Sequence, residues 1–226
     1  MKAQILATVA SAALLAGCSA AYGEDIETMA EANTETTAIP AGTGYFAADS
    51  TLPFKTPDFS QISEEDYIPA FEQGMAIQKA EIAAIIDNPA PPTFENTIVA
   101  LEKSGRMLGR VTRVFFALTG SNTTDRLDDI NTEISPKLTA HGDSITLNPE
   151  LFARVKAVYD NRAAMTMTRE DAKLLEDTYD GMVHAGALLS GAEREQVKAI
   201  NSELSTLTTD FSQLARAAMN DNPVFF

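Results

Sequence analysis

From about residue 52 onward, apolar residues recur every three or four positions, with polar residues between them. That spacing places the apolar side chains on one face of an α-helix. One stripe that predicts a single long helix consists of Phe94, Ile98, Leu101, Leu108, Val111, Phe115 and Leu118. No segment shows the strict alternation that predicts a β-strand. The pattern therefore predicts an all-α domain of about six helices, mostly antiparallel to their neighbours because the connections are short.

Residues that cap helices mark where several of these stripes begin. A Ser or Thr followed three residues later by an acid predicts a capping box, in which each side chain accepts a backbone N–H of the other residue. The sequence has such pairs at Ser63–Asp66, Thr168–Asp171 and Ser190–Glu193. Thr93 and Asn148 are further caps, the latter before a proline at the first helical position. We expect Pro89 to stop a helix and Pro136 to kink one.

The last apolar stripe belongs to a helix whose start is marked by Ser190. The preceding helix is predicted to end at Gly191. The members of the last stripe are Val197, Ile200, Leu204, Leu207, Phe211 and Leu214. Burial against other helices is the ordinary role of such a face, so we expect these side chains to lie in the core of a bundle. The stripe from Phe94 to Leu118 has the same expected role, with a peptide or ligand groove as its alternative.

The first residues have a different pattern. Lys2 precedes a short apolar run, Ile5–Leu15, that ends at small residues and is too short to span a bilayer. This predicts a secretory signal peptide. The letters "LLAGC" resemble a bacterial lipobox, which would place lipid on Cys18 after cleavage before it. The alternative, a small core cysteine, is disfavoured because the cysteine directly follows the apolar run.

We therefore expect an exported protein, attached to the membrane through a lipid anchor on Cys18 at the periplasmic face of the cell envelope. In lipoprotein sorting patterns, Ser19 rather than aspartate after the cysteine favours the outer membrane. Residues 18–50 are rich in Ala, Thr, Glu and Gly without a sustained apolar period, which predicts a flexible tether. The predicted division is a signal peptide at 1–17, this tether at 18–50 and a helical domain at 51–226.

Composition limits the class of partner. The 226 residues are 45% hydrophobic and 22% charged, as in globular proteins. Acidic residues number 32 against 17 basic ones, a formal net charge of −15. Such a charge repels phosphate backbones, so we predict no nucleic-acid partner. A single cysteine excludes an internal disulfide framework.

The sequence offers no catalytic or metal-binding residue. Zinc needs several imidazole, thiolate or carboxylate ligands brought together, and the candidates are His141, His184 and Cys18. No HExxH pair sets two histidines on one helical face. The acidic runs 64–66 and 128–129 suit helix starts and solvated faces rather than acid–base chemistry.

Longer stretches of the chain carry a family resemblance. The segments are "LPFKTPDFSQISEEDYIPAFEQGM", "AEIAAIIDNPAPPTFENTIVALEKSG", "VTRVFFALTGSNTTDRL", "LNPELFARVKAVYD" and "INSELSTLTTDFSQ". Together they resemble the front part of a bacterial peptidyl-dipeptidase, in the thimet oligopeptidase family of zinc metallopeptidases. The resemblance runs from about Leu52 to Gln213.

The resemblance implies a neurolysin-like helical fold, with N-terminal helices forming one wall of a deep channel. It implies release of C-terminal dipeptides from short peptides by a Zn²⁺ enzyme. The family holds its zinc with HExxH and a downstream glutamate, and none of these is present here. We therefore expect a segment truncated before the catalytic zinc domain and inactive alone. The alternative is a stand-alone helical peptide-binding or scaffold lipoprotein without catalysis.

Overall fold

The computed structural model describes residues 39–221, so the predicted signal peptide and Cys18 lie outside the described residues. Residues 39–221 form helices and turns without a β-strand, which confirms the predicted all-α class. No helix in this range is long and apolar enough to cross a membrane.

Seven α-helices occur in the described range: α1 Tyr67–Ile86, α2 Ala100–Glu102, α3 Arg106–Ser121, α4 Asp125–Thr146, α5 Pro149–Asp160, α6 Arg169–Ala185 and α7 Gly191–Asp221. A π-helical segment, Phe94–Val99, leads directly into α2. Short 3₁₀ turns lie at Tyr45–Ala47, Pro53–Lys55, Phe59–Gln61, Glu64–Asp66 and Arg162–Ala164.

Capping explains where the helices begin. At the turn before α1, the Ser63 N–H donates to Asp66 Oδ2 at 2.7 Å, as the capping-box prediction requires. The Asn148 side chain accepts the N–H groups of Glu150 and Leu151, each at 2.9 Å, and so caps α5. Thr168 forms the predicted box with its acid at the start of α6. These interactions satisfy backbone donors that have no partner inside the helix.

The prediction of one long helix after Thr93 is wrong. The chain turns at Gly105, whose φ of 67° lies in the left-handed region, and α3 begins at the next residue. The Gly105 N–H donates to Glu81 Oε2 at 2.7 Å, and a Cβ at Gly105 would lie 2.4 Å from Gln78 Nε2. The left-handed φ therefore favours glycine here, an added Cβ would displace the end of the Gln78 side chain, and the turn ends the helix.

Two hydrophobic clusters hold the helices together, and α1 contributes to both. The first contains Phe46, Tyr67, Ala70, Phe71, Ile77, Met107, Leu108, Val111, Val114, Phe115, Leu127, Ile130 and Ile134. The second contains Ile82, Ile85, Ile98, Leu151, Phe152, Val155, Val158, Leu175, Met182 and Ala187. The turn at Gly105 thus divides the predicted stripe: Ile98 packs in the second cluster, and Phe115 packs in the first.

Residues just before position 50 contact the helices that follow. Phe46 is 2% exposed and its ring centroid lies 5.9 Å from that of Tyr67. Arg110 on α3 donates to the carbonyl oxygens of Phe46 at 2.8 Å and Ala47 at 2.7 Å. These contacts join the last residues of the predicted tether to the helical unit, which extends from Ile39 onward.

The helix expected to end at Gly191 ends earlier. α6 stops at Ala185, and Gly186 follows with a φ of 112°. The Ala187 N–H donates to the Met182 carbonyl at 2.9 Å, the closing bond of a Schellman motif. Gly191 begins α7 instead. Earlier in the chain, α4 continues through Pro136 as far as Thr146. The kink expected at Pro136 stays a prediction.

Candidate docking face of helix α7

Helix α7 contacts α4 through polar side chains. Arg216 Nη2 lies 2.6 and 2.7 Å from the two carboxylate oxygens of Asp128, and its Nη1 donates to the Thr119 carbonyl at 3.2 Å. Gln213 donates to the Asp128 carbonyl at 3.0 Å. More than three turns before this point, Asn201 donates to Asp143 of α4 at 2.9 Å. These bonds fix which face of α7 is turned toward the bundle.

The opposite face of α7 is apolar and exposed. We call Val197, Ile200, Leu204, Leu207, Phe211 and Leu214 the α7 stripe. The last five of these have exposed fractions of 62%, 58%, 57%, 72% and 70% in chain order. The predicted burial of the stripe is therefore wrong, because α7 contacts α4 with its polar face.

The spacing within the α7 stripe is that of a helix-packing seam. Its members alternate between steps of three and four residues, the a and d pattern of a coiled coil. Exposed Glu203 and Asp210 each precede a stripe residue and flank the seam on one side. The face is thus shaped to pack against another helix, with acidic groups along one edge.

A shallow groove extends this apolar surface onto neighbouring helices. It has a volume of about 520 Å³ and is lined by Leu204 and Thr208 of α7, Leu138 of α4 and Phe116 of α3. The Phe116 side chain is 38% exposed. The groove and the α7 stripe share Leu204, so the two surfaces are contiguous.

Sequence comparison identifies relatives of this helical unit. The chain is 45% identical over 173 residues to a dipeptidyl carboxypeptidase of Escherichia coli K12, which covers 76% of this chain and 25% of the relative. It is 40% identical over 169 residues to a dipeptidyl carboxypeptidase of Salmonella typhimurium LT2, with coverages of 75% and 25%. The chain is a relative of the dipeptidyl carboxypeptidases. This confirms the resemblance to peptidyl-dipeptidases.

A more distant match of this chain broadens the comparison. The chain is 21% identical over 159 residues to oligopeptidase A of Salmonella typhimurium LT2, with coverages of 70% and 23%. No protein-family profile matches the chain. The chain spans about a quarter of the length of the curated relatives it matches.

The two histidines of this chain have ordinary structural partners. His141 Nε2 lies 2.8 Å from Gln78 Oε1, and burial, with a smaller effect of Lys79, lowers the pKa of His141. His184 Nδ1 lies 2.7 Å from the Asp180 carbonyl one turn earlier. Between residues 39 and 221, no group of three or more His, Cys, Asp or Glu side chains could hold a metal ion. The side chains described between residues 39 and 221 therefore do not form a ligand set that fits zinc.

The acidic run before α1 joins helices to one another. Arg126 of α4 donates to both carboxylate oxygens of Glu65, at 3.0 and 2.9 Å, and this contact lowers the pKa of Glu65. Thr124 donates to Glu64 Oε1 at 2.6 Å. Hydrogen bonds from the Ser63 N–H and hydroxyl hold the pKa of Asp66 below its ordinary value. These carboxylates position the start of α1 beside α4, and none is arranged as an acid–base pair.

Sequence reasoning missed the exposure of the α7 stripe because it treated every apolar stripe as core. The alternating steps of three and four were already visible in the sequence, and they are typical of a helix-packing seam. The polar residues that turn α7 toward α4 were not recognisable in the same way. Arg216 and Asp128 are 88 positions apart, and no local pattern connects them.

Proposed function

We propose that this chain forms a helical wall of a peptidyl-dipeptidase that releases dipeptides from the C-termini of short peptides. The observation that carries the proposal is the 45% identity to a dipeptidyl carboxypeptidase across 173 residues. The channel-wall role is the one that the family resemblance implies for this part of the fold. The described helices supply a rigid scaffold, and the residues that cleave peptides are proposed to lie outside them.

The α7 stripe is proposed to pack against the remainder of the peptidase. The relatives are about four times as long as the segment they share with this chain, since that segment is 25% of their length. Large contiguous apolar patches on a soluble protein are typical of interfaces. A second copy of the chain is a poorer occupant, because the net charge is −15 and Glu203 and Asp210 flank the stripe.

The zinc ion implied by the resemblance is proposed to be held by residues outside 39–221. Support comes from the two histidines, whose ring nitrogens already contact Gln78 and the Asp180 carbonyl. The anchor on Cys18 and the periplasmic face of the outer membrane are also part of the proposal. They rest on the apolar run before that cysteine and on Ser19 after it.

A chimeric enzyme tests the wall function. The segment of the Escherichia coli dipeptidyl carboxypeptidase that matches this chain would be replaced by the corresponding residues of this chain, and release of dipeptides from short peptides would be measured. We expect an active chimera. Leu207→Glu in the chimera should remove most of the activity, because a carboxylate would be buried in the interface. The matched control is Thr206→Glu, at the adjacent exposed position outside the stripe.

Two outcomes would contradict the proposal. A folded chimera that releases no dipeptide would favour the stand-alone peptide-binding or scaffold lipoprotein. Equal activity of the Leu207→Glu and Thr206→Glu chimeras would show that the α7 stripe does not contact the rest of the enzyme. The purified 226-residue chain should be inactive in the same assay, and stoichiometric zinc with dipeptide release by that chain would refute the assignment.

A further inference from the structure

A cleft lies between the N-terminal 3₁₀ turns and helix α3, and it shares no lining residue with the groove beside the α7 stripe. Its volume is about 440 Å³, within the range of pockets that hold small organic ligands. Residues 45–59 form one side of the cleft, and α3 forms the other from Arg110 to Ala117. The proposed peptidase function does not involve this cleft.

The walls of the cleft are largely apolar. Phe46 and Val114, both buried, belong to the core beneath it. Phe54 and Phe59 also line it, and their exposed fractions are 100% and 52%. Two phenylalanine side chains thus stand at the opening, available to enclose the apolar part of a ligand.

The backbone that carries Phe54 has a defined but unusual conformation. Phe54 and Lys55 both have φ of 57°, in the left-handed region that side-chain-bearing residues rarely adopt. The Lys55 N–H donates to the Leu52 carbonyl at 3.0 Å, and the Thr56 N–H donates to the Pro53 carbonyl at 3.2 Å. These bonds hold the turn in place. Strained conformations of this kind concentrate at ligand-binding sites.

The charged residues of the cleft leave one cation without a partner. Its lining includes Lys55, Arg110 and Arg113 but only one carboxylate, Asp49. Asp49 forms ion pairs with both Lys55 and Arg110, and these contacts hold the pKa of Asp49 below its ordinary value. Arg113 is exposed and makes no hydrogen bond or ion pair with any residue in the described part of the chain. A local excess of positive charge therefore faces an apolar cleft in an acidic protein.

We propose that this cleft binds small organic carboxylates with an aromatic or branched aliphatic body. The carboxylate would accept hydrogen bonds from the Arg113 guanidinium, whose planar donors match its two oxygens. The body would lie against Val114 between Phe54 and Phe59. A neutral ligand would leave the Arg113 guanidinium without an ion-pair partner. Only one of the two charges of a dianion could pair with Arg113, because Lys55 and Arg110 already pair with Asp49.

Binding of a charged ligand and its neutral analogue tests the proposal. The purified 226-residue chain would be titrated by calorimetry with 3-phenylpropanoate and with 3-phenylpropanamide, which has the same body without the charge. We expect the carboxylate to bind at least about tenfold more tightly, as a charge-assisted hydrogen bond predicts. Arg113→Gln should weaken carboxylate binding about tenfold and leave amide binding unchanged. Phe54→Ala should weaken both ligands.

Arg106→Gln is the matched control, because Arg106 is an exposed cation two turns earlier on α3 and does not line the cleft. This variant should bind the carboxylate like the native chain. Equal affinity for acid and amide, native affinity in Arg113→Gln, or equal losses in both arginine variants would overturn the proposal. Absence of binding at millimolar carboxylate would also overturn it. Thermal unfolding of each variant confirms that the comparison is between folded proteins.

Discussion

Single residues decide where this chain turns, and Gly105 is the clearest case. Its left-handed backbone separates α2 from α3, and Gln78 of α1 occupies the space that a side chain would need. The Glu81 carboxylate accepts the N–H of the same residue. One position thus combines a backbone requirement with a close contact between helices.

We expect Gly105→Ala to lower the free energy of unfolding by about 1–3 kcal/mol, from the left-handed conformation and the clash with Gln78. Urea denaturation measures this. Gly120→Ala is the matched control, because Gly120 is inside α3 with nothing within 4 Å of an added Cβ. That change should stabilise the chain by up to about 1 kcal/mol through helix propensity. Loss of stability in the control alone would contradict the assignment of the turn.

His141 supports a prediction about pH at the same scale. Burial, and secondarily the charge of Lys79, lowers its pKa below the ordinary 6.5, so the folded chain disfavours the protonated ring. The unfolded chain then binds more protons between the two pKa values, and stability falls as pH drops below about 6.5. Urea unfolding between pH 8 and 5 should show this loss, and His141→Gln should reduce it. Identical pH profiles of the two proteins would refute the prediction.

At the scale of elements, the helices differ in what their apolar faces do. The apolar face of α4 is buried, with Ile130 and Ile134 fully inaccessible, whereas the α7 stripe is exposed. α7 is nevertheless anchored, because Arg216 pairs with Asp128 and Gln213 reaches the same turn of α4. The two faces of α7 therefore have separate roles: the polar face attaches it and the apolar face is available to a partner.

This division predicts opposite effects of two substitutions in the 226-residue chain. Leu207→Glu should change the free energy of unfolding by less than about 0.5 kcal/mol, because the side chain is already exposed. Ile130→Ala should cost about 2–5 kcal/mol, because it leaves a cavity in the core. Chemical denaturation of both variants gives the comparison. A large loss from Leu207→Glu would mean that the chain itself buries the stripe.

At the scale of the whole molecule, a helical unit from residue 39 carries a large apolar surface, and its relatives are about four times as long. The described part of the unit has two core clusters that both include residues of α1, and neither includes a residue of the α7 stripe. We proposed that the rest of a peptidase covers it. Attachment to the membrane is a separate proposal, which rests on the sequence of the first residues of the chain.

The lipid anchor can be tested in bacterial cells that express the full chain. We expect incorporation of labelled fatty acid and recovery in the outer-membrane fraction. Cys18→Ser should abolish the labelling, because the thiol that receives the lipid is absent. Ser19→Asp should keep the lipid but move the protein to the inner membrane. An unlabelled native chain, or labelling that persists in Cys18→Ser, would exclude the anchor.

The sequence by itself determined the helical class, most helix starts and the relationship to peptidyl-dipeptidases. Capping pairs such as Ser63 and Asp66 form their hydrogen bonds within one helical turn, so residues close together in the sequence are enough to recognise them. The resemblance to the peptidyl-dipeptidases likewise rests only on the order of residues in the sequence. The absence of an HExxH pair was equally visible without a structure.

Only the tertiary structure decided which faces are covered and where the predicted long helix breaks. The turn at Gly105 depends on Glu81 and Gln78, and the orientation of α7 depends on a pair 88 positions apart. Periodicity reports that a helix has an apolar side, but burial requires a second surface, which comes from distant parts of the chain. The α7 stripe has the pattern of a core and remains exposed because polar contacts hold the opposite side against α4.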